Sequence, residues 1–267
     1  MAKLLIIITV MFIILIGYGF FEAFWIQIKV TKITDADVPP SFKNTRIVFI
    51  TDIHYKENFA REQIRKVVEK VNSLNPDIIL LGGDYVSYSQ DHIKPCFEEL
   101  ARLKASIGKY GVLGNHDHRE NERLTKECMR KAGIVCLDND SLWIYKNKDR
   151  IKIGGVGDYW EDLTIIQNTI HDVDESDFVI VLSHNPDFAE TLKTNKVDLV
   201  LSGHTHGGQI TFFGLWSPFV PSQYGQKYRT GLVKTEHTQV LISNGVGFAS
   251  NYPIRFFARP QINVIEL

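Results

Sequence analysis

The 267-residue sequence holds only three cysteines, Cys96, Cys128 and Cys136, and none has a C-x-x-C neighbour. An odd count without that spacing excludes a disulfide framework, a thiolate zinc clip and a dithiol redox pair. The three read as buried or incidental thiols, since free cysteine packs as a small hydrophobe. Charge of one sign is also lacking: 30 Lys and Arg stand against 31 Asp and Glu, a formal net charge of -1. Non-specific nucleic-acid binders carry a basic footprint, so no nucleic-acid partner is expected. No internal repeat and no low-complexity tract is found, which excludes solenoid and disordered architectures. What remains, 44% apolar and 23% charged, is a globular chain long enough to bury a sizeable core.

One long uncharged run is present, Leu4 to Phe21, and its 18 residues can just cross the hydrocarbon layer as a helix. Trp25 stands where an aromatic belt lies, and Lys29 and Lys32 follow. The run exceeds the apolar region of a signal peptide and no A-x-A-like cleavage site follows, so an uncleaved anchor is expected. There is no twin arginine. Positive groups on the two sides tie, which leaves the orientation open. The expected layout is an anchor over 1–28, a linker over 29–41 containing Asp35, Asp37, Pro39 and Pro40, and a catalytic domain over 42–267.

In that domain, short apolar runs alternate with helical patterns, the mark of α/β layering. Strands are expected at Ile47 to Ile50, Ile78 to Leu81, Tyr110 to Leu113, around Ile134, Trp143 and Ile151, and at Phe178 to Leu182 and Val197 to Leu201. Helices are expected at Arg61 to Ser73, near Glu120 to Lys131 and near Phe188 to Lys193. The tail from Gln239 alternates without a clear helix. Nearly every apolar run ends in Asp, His, Asn or Gly: Thr51-Asp52-Ile53-His54, Gly82-Gly83-Asp84, Gly114-Asn115-His116-Asp117, Ser183-His184-Asn185 and Gly203-His204-Thr205-His206-Gly207-Gly208. Ligands of open α/β sheets collect at the carboxyl ends of strands, so the five clusters are expected to face one crevice.

Asp52, His54, Asp84, Asn115, His184, His204 and His206 together offer carboxylate, imidazole and amide donors without sulfur. That set suits divalent ions such as Mn, Fe and Zn. Seven donors exceed the needs of one open catalytic ion, and two ions sharing a carboxylate are the simplest allocation. Two such ions clamp a phosphoryl group and lower the pKa of a shared water, which is the chemistry of phosphoester hydrolysis. Asp-x-His is expected to place Asp52 and His54 on one side of an extended strand end. His116 is not needed as a ligand and is placed to protonate a leaving oxygen, with Asp117 holding its other ring nitrogen. Singly, each cluster reads as a turn with satisfied polar side chains; all five in this order read as one site.

The series D-x-H, G-D, G-N-H-D, H and G-H-x-H resembles the calcineurin-like metallophosphoesterase superfamily, over residues 47 to about 210. The resemblance implies a four-layer α/β/β/α sandwich, here preceded by one N-terminal transmembrane helix. It further implies Asp52, His54 and His206 on one ion, Asn115, His184 and His204 on the other, and Asp84 between them. His116 and Asp117 would be the catalytic acid and its partner. The cofactor would be two divalent ions, manganese foremost, with Fe, Zn or Co as alternatives. The apolar start, Gly-His-Thr-His-Gly-Gly-Gln and the ending through Ser243 to Gly247, Pro253 to Arg255 and Arg259-Pro260 are similar to a bacterial membrane-associated branch. Its members include phosphodiesterases and UDP-2,3-diacylglucosamine pyrophosphatases of lipid A synthesis.

The expected partners are thus a phosphoester substrate, with lipid linkage as one form of it, and a membrane reached by the N-terminal helix. Phe212, Phe213, Trp216, Phe219, Tyr224 and Tyr228 follow the last motif and read either as a lipid-facing rim or as a loop covering the sheet. Arg119, Arg229, Arg255 and Arg259 are candidate phosphate contacts or surface residues. His118, His92, His171 and His237 read as surface histidines. A rival class is a catalytically inactive metal-binding scaffold at the membrane, against which stands the full set of donors.

Overall fold

Two six-stranded sheets face each other in the computed structural model, which describes residues 1–56 and 61–267. The first contains β1 (Gln27–Lys32), β2 (Arg46–Ile50), β3 (Ile78–Leu81), β4 (Gly108–Gly111), β5 (Val135–Cys136) and, from the far end of the chain, β12 (Gln261–Glu266), in the order β1-β12-β2-β3-β4-β5. The second contains β6 (Ser141–Lys146), β7 (Asp149–Gly155), β8 (Val179–Leu182), β9 (Leu199–Ser202), β10 (Gly231–Lys234) and β11 (Gln239–Ile242), in the order β10-β11-β9-β8-β7-β6.

Alternation along each strand builds the layers. Ile47 and Phe49 of β2 and Ile78 and Leu80 of β3 meet Ile151, Ile153, Ile180, Leu182, Leu199 and Leu201 between the sheets. The intervening Val48, Ile50, Ile79 and Leu81 point outward, beneath helices α2 (Arg61–Ser73), α3 (Ile93–Leu100) and α4 (Asn115–Lys131). On the other outer face, Val179, Val181 and Val200 lie under Phe188, Leu192 and Tyr228. Among the described residues, only the short α5 (Gln167–Ile170) and 3-10 turns cover that side, so the second helical layer of the α/β/β/α sandwich is thin.

Several elements depart from expectation. α4 begins at Asn115, not near Glu120, so the third cluster occupies its first turn behind the N-cap Gly114. The helix expected near Phe188 is a 3-10 turn, Pro186–Thr191. α3 was not expected, although Ile93, Cys96, Phe97 and Leu100 have helical spacing; Pro95 obscures it and is tolerated because it sits in the first turn. Residues 27–32, expected to end the anchor and begin a linker, form edge strand β1, parallel to β12 with Ile28 opposite Ile262 and Val30 opposite Val264. The 28/29 boundary therefore falls inside a strand. Lys29 on one face and Lys32 on the other discourage pairing with another chain, while Ile28 and Val30 stay exposed.

Helix α1 (Ala2–Glu22) has 21 residues and is long and apolar enough to cross a membrane. At 1.5 Å per residue it reaches about 31 Å. Its side chains are exposed except near the end, where Gly19 and Glu22 are buried against the sandwich. The Glu22 carboxylate accepts hydrogen bonds from the backbone amides of Phe257 (2.9 Å) and Ala258 (2.7 Å). The Arg255 amide donates to Gly19 O at 3.0 Å. The segment before β12 thus touches α1 on one side and, through Arg255, the polar centre on the other.

Candidate metal centre

All seven expected donors gather at the carboxyl ends of strands from both sheets. Asp52 and His54 follow β2, Asp84 follows β3, and Asn115 opens α4 just after β4; His184 follows β8, and His204 and His206 follow β9. Ligand atoms of Asp52, His54 and His206 lie within 4.8 Å of one another, as do those of Asp84, His184 and His204, and those of His54, Asp84 and His116. Asp84 stands between the groups: its Oδ2 is 3.5 Å from His54 Nε2 and 3.2 Å from His184 Nε2. Asp52 Oδ1 lies 3.3 Å from His206 Nε2.

Five of the seven, Asp52, His54, Asp84, His204 and His206, have left-handed backbones with φ between 47 and 68°. Each such turn costs about 1–2 kcal/mol for a residue with a Cβ, a strain typical of functional sites. Asp52 and His54 therefore do not converge through strand alternation as expected. The chain has already left β2, and two separate left-handed residues turn both side chains inward. Gly203 also has a steric reason, since a Cβ there would stand 2.1 Å from Asp52 Oδ2.

The surroundings occupy one ring nitrogen of His184 and of His54 and turn the other inward. His184 Nδ1 lies 2.7 Å from Gly82 O, and His54 Nδ1 lies 2.5 Å from Ser87 Oγ, so their Nε2 atoms face the centre. His54 Nε2 and His206 Nε2 stand 3.0 Å apart, and His204 Nδ1 is 3.3 Å from His184 Nε2. Asn115 Oδ1 is buried with no hydrogen-bond partner. Orphaned buried acceptors and imidazole nitrogens aimed at one another are costly in an all-protein site. A divalent cation resolves both, so the donor set fits a metal centre.

The protonation of three of the four histidines agrees with that fit, whereas His184 and Asp52 favour protons that a bound cation would displace. Burial pushes His54, His204 and His206 down, His204 to about 3, which keeps these rings neutral and able to ligate. Burial also opposes charge on His184, but the carboxylates of Asp84, Asp52 and Asp158 outweigh it and push His184 up. Burial raises Asp52 to about 6. Burial likewise opposes the Asp84 anion, yet the surrounding histidines, His184 foremost, hold its carboxyl well below the usual range.

Three further expectations are corrected. Asp117 does not hold the His116 ring. Its Oδ2 accepts from the amides of Asp84 (2.7 Å) and Gly114 (2.9 Å), and its Oδ1 from the amide of Tyr85 (2.9 Å). Once α4 starts at Asn115, Asp117 is the third helical residue and its side chain folds back over the N-terminus, beside the β3 turn. Arg255 is not a phosphate contact at the surface. It is fully buried, donates to carbonyls of Gly247, Asn244, His206 and Ala258, and places Nη2 3.3 Å from His206 Nδ1. The His118 side chain is also largely buried, with Nδ1 3.5 Å from Glu122.

His116 faces the centre with its ring 4.9 Å from that of His54, and its amide donates to Asp84 Oδ1 at 2.9 Å. It lines a cleft of about 600 Å³ with Asn115, Arg119, Trp160, His204 and Phe219. Trp160 stands edge-on to His204 with ring centres 4.2 Å apart. Its loop is fixed by buried Asp158, which accepts from the amides of Trp160 (2.9 Å) and Glu161 (3.1 Å). Neither residue was expected. The signal was Gly-Val-Gly-Asp at the end of β7, a sixth strand-end cluster of the kind that marked the other five.

A two-sheet α/β sandwich that brings Asp, His and Asn donors together in an open cleft defines a metal-dependent hydrolase. The chain belongs to the calcineurin-like phosphoesterase family, whose model matches residues 45–208, and it is accordingly a phosphoric ester hydrolase. It is 30% identical over 260 residues to the metallophosphoesterase YkuE of Bacillus subtilis (strain 168), covering 94% of this chain and 90% of that one. It is 31% identical over 227 residues to the phosphodiesterase YaeI of Escherichia coli (strain K12), covering 83% and 82%. A transmembrane protein with a metallophosphoesterase domain from Danio rerio is 27% identical over 254 residues, 88% of this chain and 57% of that protein. Among solved structures, the NAD nucleotidase of Haemophilus influenzae shares the fold, with a TM-score of 0.51 and 15% identity over 76% of this chain and 50% of that one.

Proposed function

We propose that the protein is a membrane-anchored phosphodiesterase with a binuclear metal centre, acting on a phosphodiester or pyrophosphate bond. The carrying observation is the convergence of six Asp and His donors in groups that meet near Asp84, with Asn115 Oδ1 buried and unpartnered in the same cleft. In this reading Asp52, His54 and His206 hold one ion, Asn115, His184 and His204 the other, and Asp84 both; manganese is the first candidate, then Fe, Zn or Co. When bound, such a pair supplies Lewis acidity and a water of lowered pKa for attack on phosphorus.

The protein's own groups do the rest. His116 protonates the departing oxygen from the cleft side. Arg119, in ion pairing with Glu161 at 2.6 Å, presents positive charge at the cleft mouth, where phosphate oxygens would lie. Trp160 restricts water beside His204. Asp117 acts as a positioning residue that fixes the Asp84 turn against the start of α4. The diester preference draws on the similarity to YaeI, and the anchor on the composition of α1.

The apolar cleft rim, with Ile210 and Phe219, favours a second, narrower reading: a lipid-linked pyrophosphate such as UDP-2,3-diacylglucosamine. The purified full chain should bind two equivalents of manganese and hydrolyse an aryl phosphodiester. Asp84→Ala should lose both properties together; retained activity in that variant would falsify the binuclear assignment. Comparing an acylated UDP-sugar with a water-soluble nucleotide diester separates the two substrate readings.

A further inference from the structure

The loop that lends Ile210 and Phe219 to the cleft carries further apolar side chains outside it. Between 210 and 219, Phe213, Leu215 and Phe219 are 71, 82 and 72% exposed, and Trp216 is half-exposed. Adjacent large apolar side chains held in solvent mark an interaction surface. The loop presenting them is ordered by its own bonds. The Phe212 amide donates to Trp216 O (2.7 Å), the Gly214 amide to Thr211 Oγ1 (2.9 Å), and the Arg229 guanidinium to Gly214 O (2.6 Å).

This surface is continuous with the end of α1. The Phe213 ring lies 5.3 Å from Phe257, and Phe257 lies 5.7 Å from Tyr18, one turn before the helix ends. The Thr211 amide donates to Phe256 O at 2.9 Å, which ties the loop base to the same segment. A groove of about 510 Å³ between loop and helix contains Arg229 and Arg259, and the Arg259 guanidinium stacks 3.7 Å over Trp25. Aromatic rings and arginines beside the end of an apolar helix are what the headgroup layer accommodates.

We propose that the 210–219 loop is a second bilayer contact: its apolar tips enter the acyl boundary beside α1, and the catalytic cleft opens at the headgroup plane. The proposal rests on α1 being the membrane anchor. The occupant is lipid, because the patch runs without a break into the helix that the bilayer would surround. An acylated substrate would then reach the cleft by lateral diffusion, its phosphate entering past Ile210 and Phe219 while its chains stay in the membrane.

The test uses the full chain reconstituted in phosphatidylcholine vesicles with brominated or plain acyl chains. Trp216 should lose emission to bromine, more when bromine is near the headgroup end than near the chain tip. Subtracting the Trp216→Phe variant isolates this loss from that of Trp25. Equal absolute losses in the two chains would show no lipid at the loop and overturn the proposal. The Phe213→Ser/Leu215→Ser double variant should hydrolyse a soluble diester at the unmodified rate. On a diacylated diester in the vesicles it should fall about tenfold in kcat/KM, equivalent to about 1.4 kcal/mol. An equal change on both substrates, or none, overturns it, as does self-association in detergent that the double variant abolishes, since a second copy would then cover the patch. Failure of the phosphoesterase reading looks different: neither substrate turns over, while the quenching result stands by itself.

Discussion

Replacing Asp117 by Asn separates a backbone clamp from an acid-orienting carboxylate. In the fold, its two oxygens accept three buried amides, those of Asp84, Gly114 and Tyr85, at 2.7 to 2.9 Å. Burial and the nearby Asp84 push its carboxyl up, but three amide donors on two oxygens leave no acceptor for a proton, so the anion is held. Hydrogen bonds to a charged acceptor contribute about 1.5–3 kcal/mol each. Asn retains one oxygen, which at the Oδ2 position still serves Asp84 and Gly114. Its NH2 then faces the Tyr85 amide, leaving a buried donor unsatisfied against another donor. The expected net loss is about 2–4 kcal/mol, with the lost charge on the remaining bonds included. For a chain of this size, a loss of about 3 kcal/mol lowers Tm by about 6–12 °C. Thermal unfolding of the purified full chain, with metal analysis on the same sample, should show the lower Tm together with reduced metal occupancy, because the Asp84 turn is what loosens. The reasoning is refuted if Tm and metal content are unchanged while turnover collapses, for then Asp117 acts on His116 and not on the backbone.

His116→Gln should keep full metal content and lose about 10²- to 10⁴-fold in turnover, the usual worth of a general acid; loss of metal in parallel would make it a ligand. Gly203→Ala places a Cβ 2.1 Å from Asp52 Oδ2 and 2.4 Å from Thr51 Oγ1, so metal binding should weaken although no donor is removed. Unchanged metal titration would show that the turn yields. Burial, reinforced by the charges of Asp35 and Asp37, pushes the Asp198 carboxyl up to about 7 while it accepts the Val179 amide at 2.7 Å. A raised carboxyl is harmless below the unfolded value near 4 and costs stability increasingly as pH rises from there through about 7. Asp198→Asn keeps an acceptor, so its Tm should match the unmodified chain near pH 4 and exceed it near pH 8, as scanning calorimetry can measure; equal Tm values at both would sink the assignment.

The donors were legible in the sequence because the fold brings strand ends together. A β-branched run followed by Asp, His or Asn states both where the side chain stands and what it can bind, and the order of five such clusters carried the family resemblance. Strands β2, β3, β8 and β9 were legible for the same reason, with β2 and β3 found within a residue of their limits. Edge strand β1 was not, because Ile28-Lys29-Val30-Thr31-Lys32 is a short run broken by lysines, and it finds its partner 234 residues later, at Gln261 opposite Gln27. Asp158 and Trp160 carried the same strand-end signal, but Gly-Val-Gly-Asp is not one of the five clusters whose order makes up the family series.

By itself the sequence determined the chemical identity of the centre, seven nitrogen and oxygen donors without sulfur, and the presence of an apolar helix long enough for a bilayer. Only the tertiary structure decided how Asp117, Arg255 and the aromatic loop are used. A carboxylate, a guanidinium or a phenyl ring takes its role from which atoms of distant segments lie within 3 to 4 Å of it, and local spacing holds no information about those neighbours. Asp117 meets the amides of another strand's turn, Arg255 is enclosed by carbonyls from three loops, and Phe213 finds α1 through Phe257.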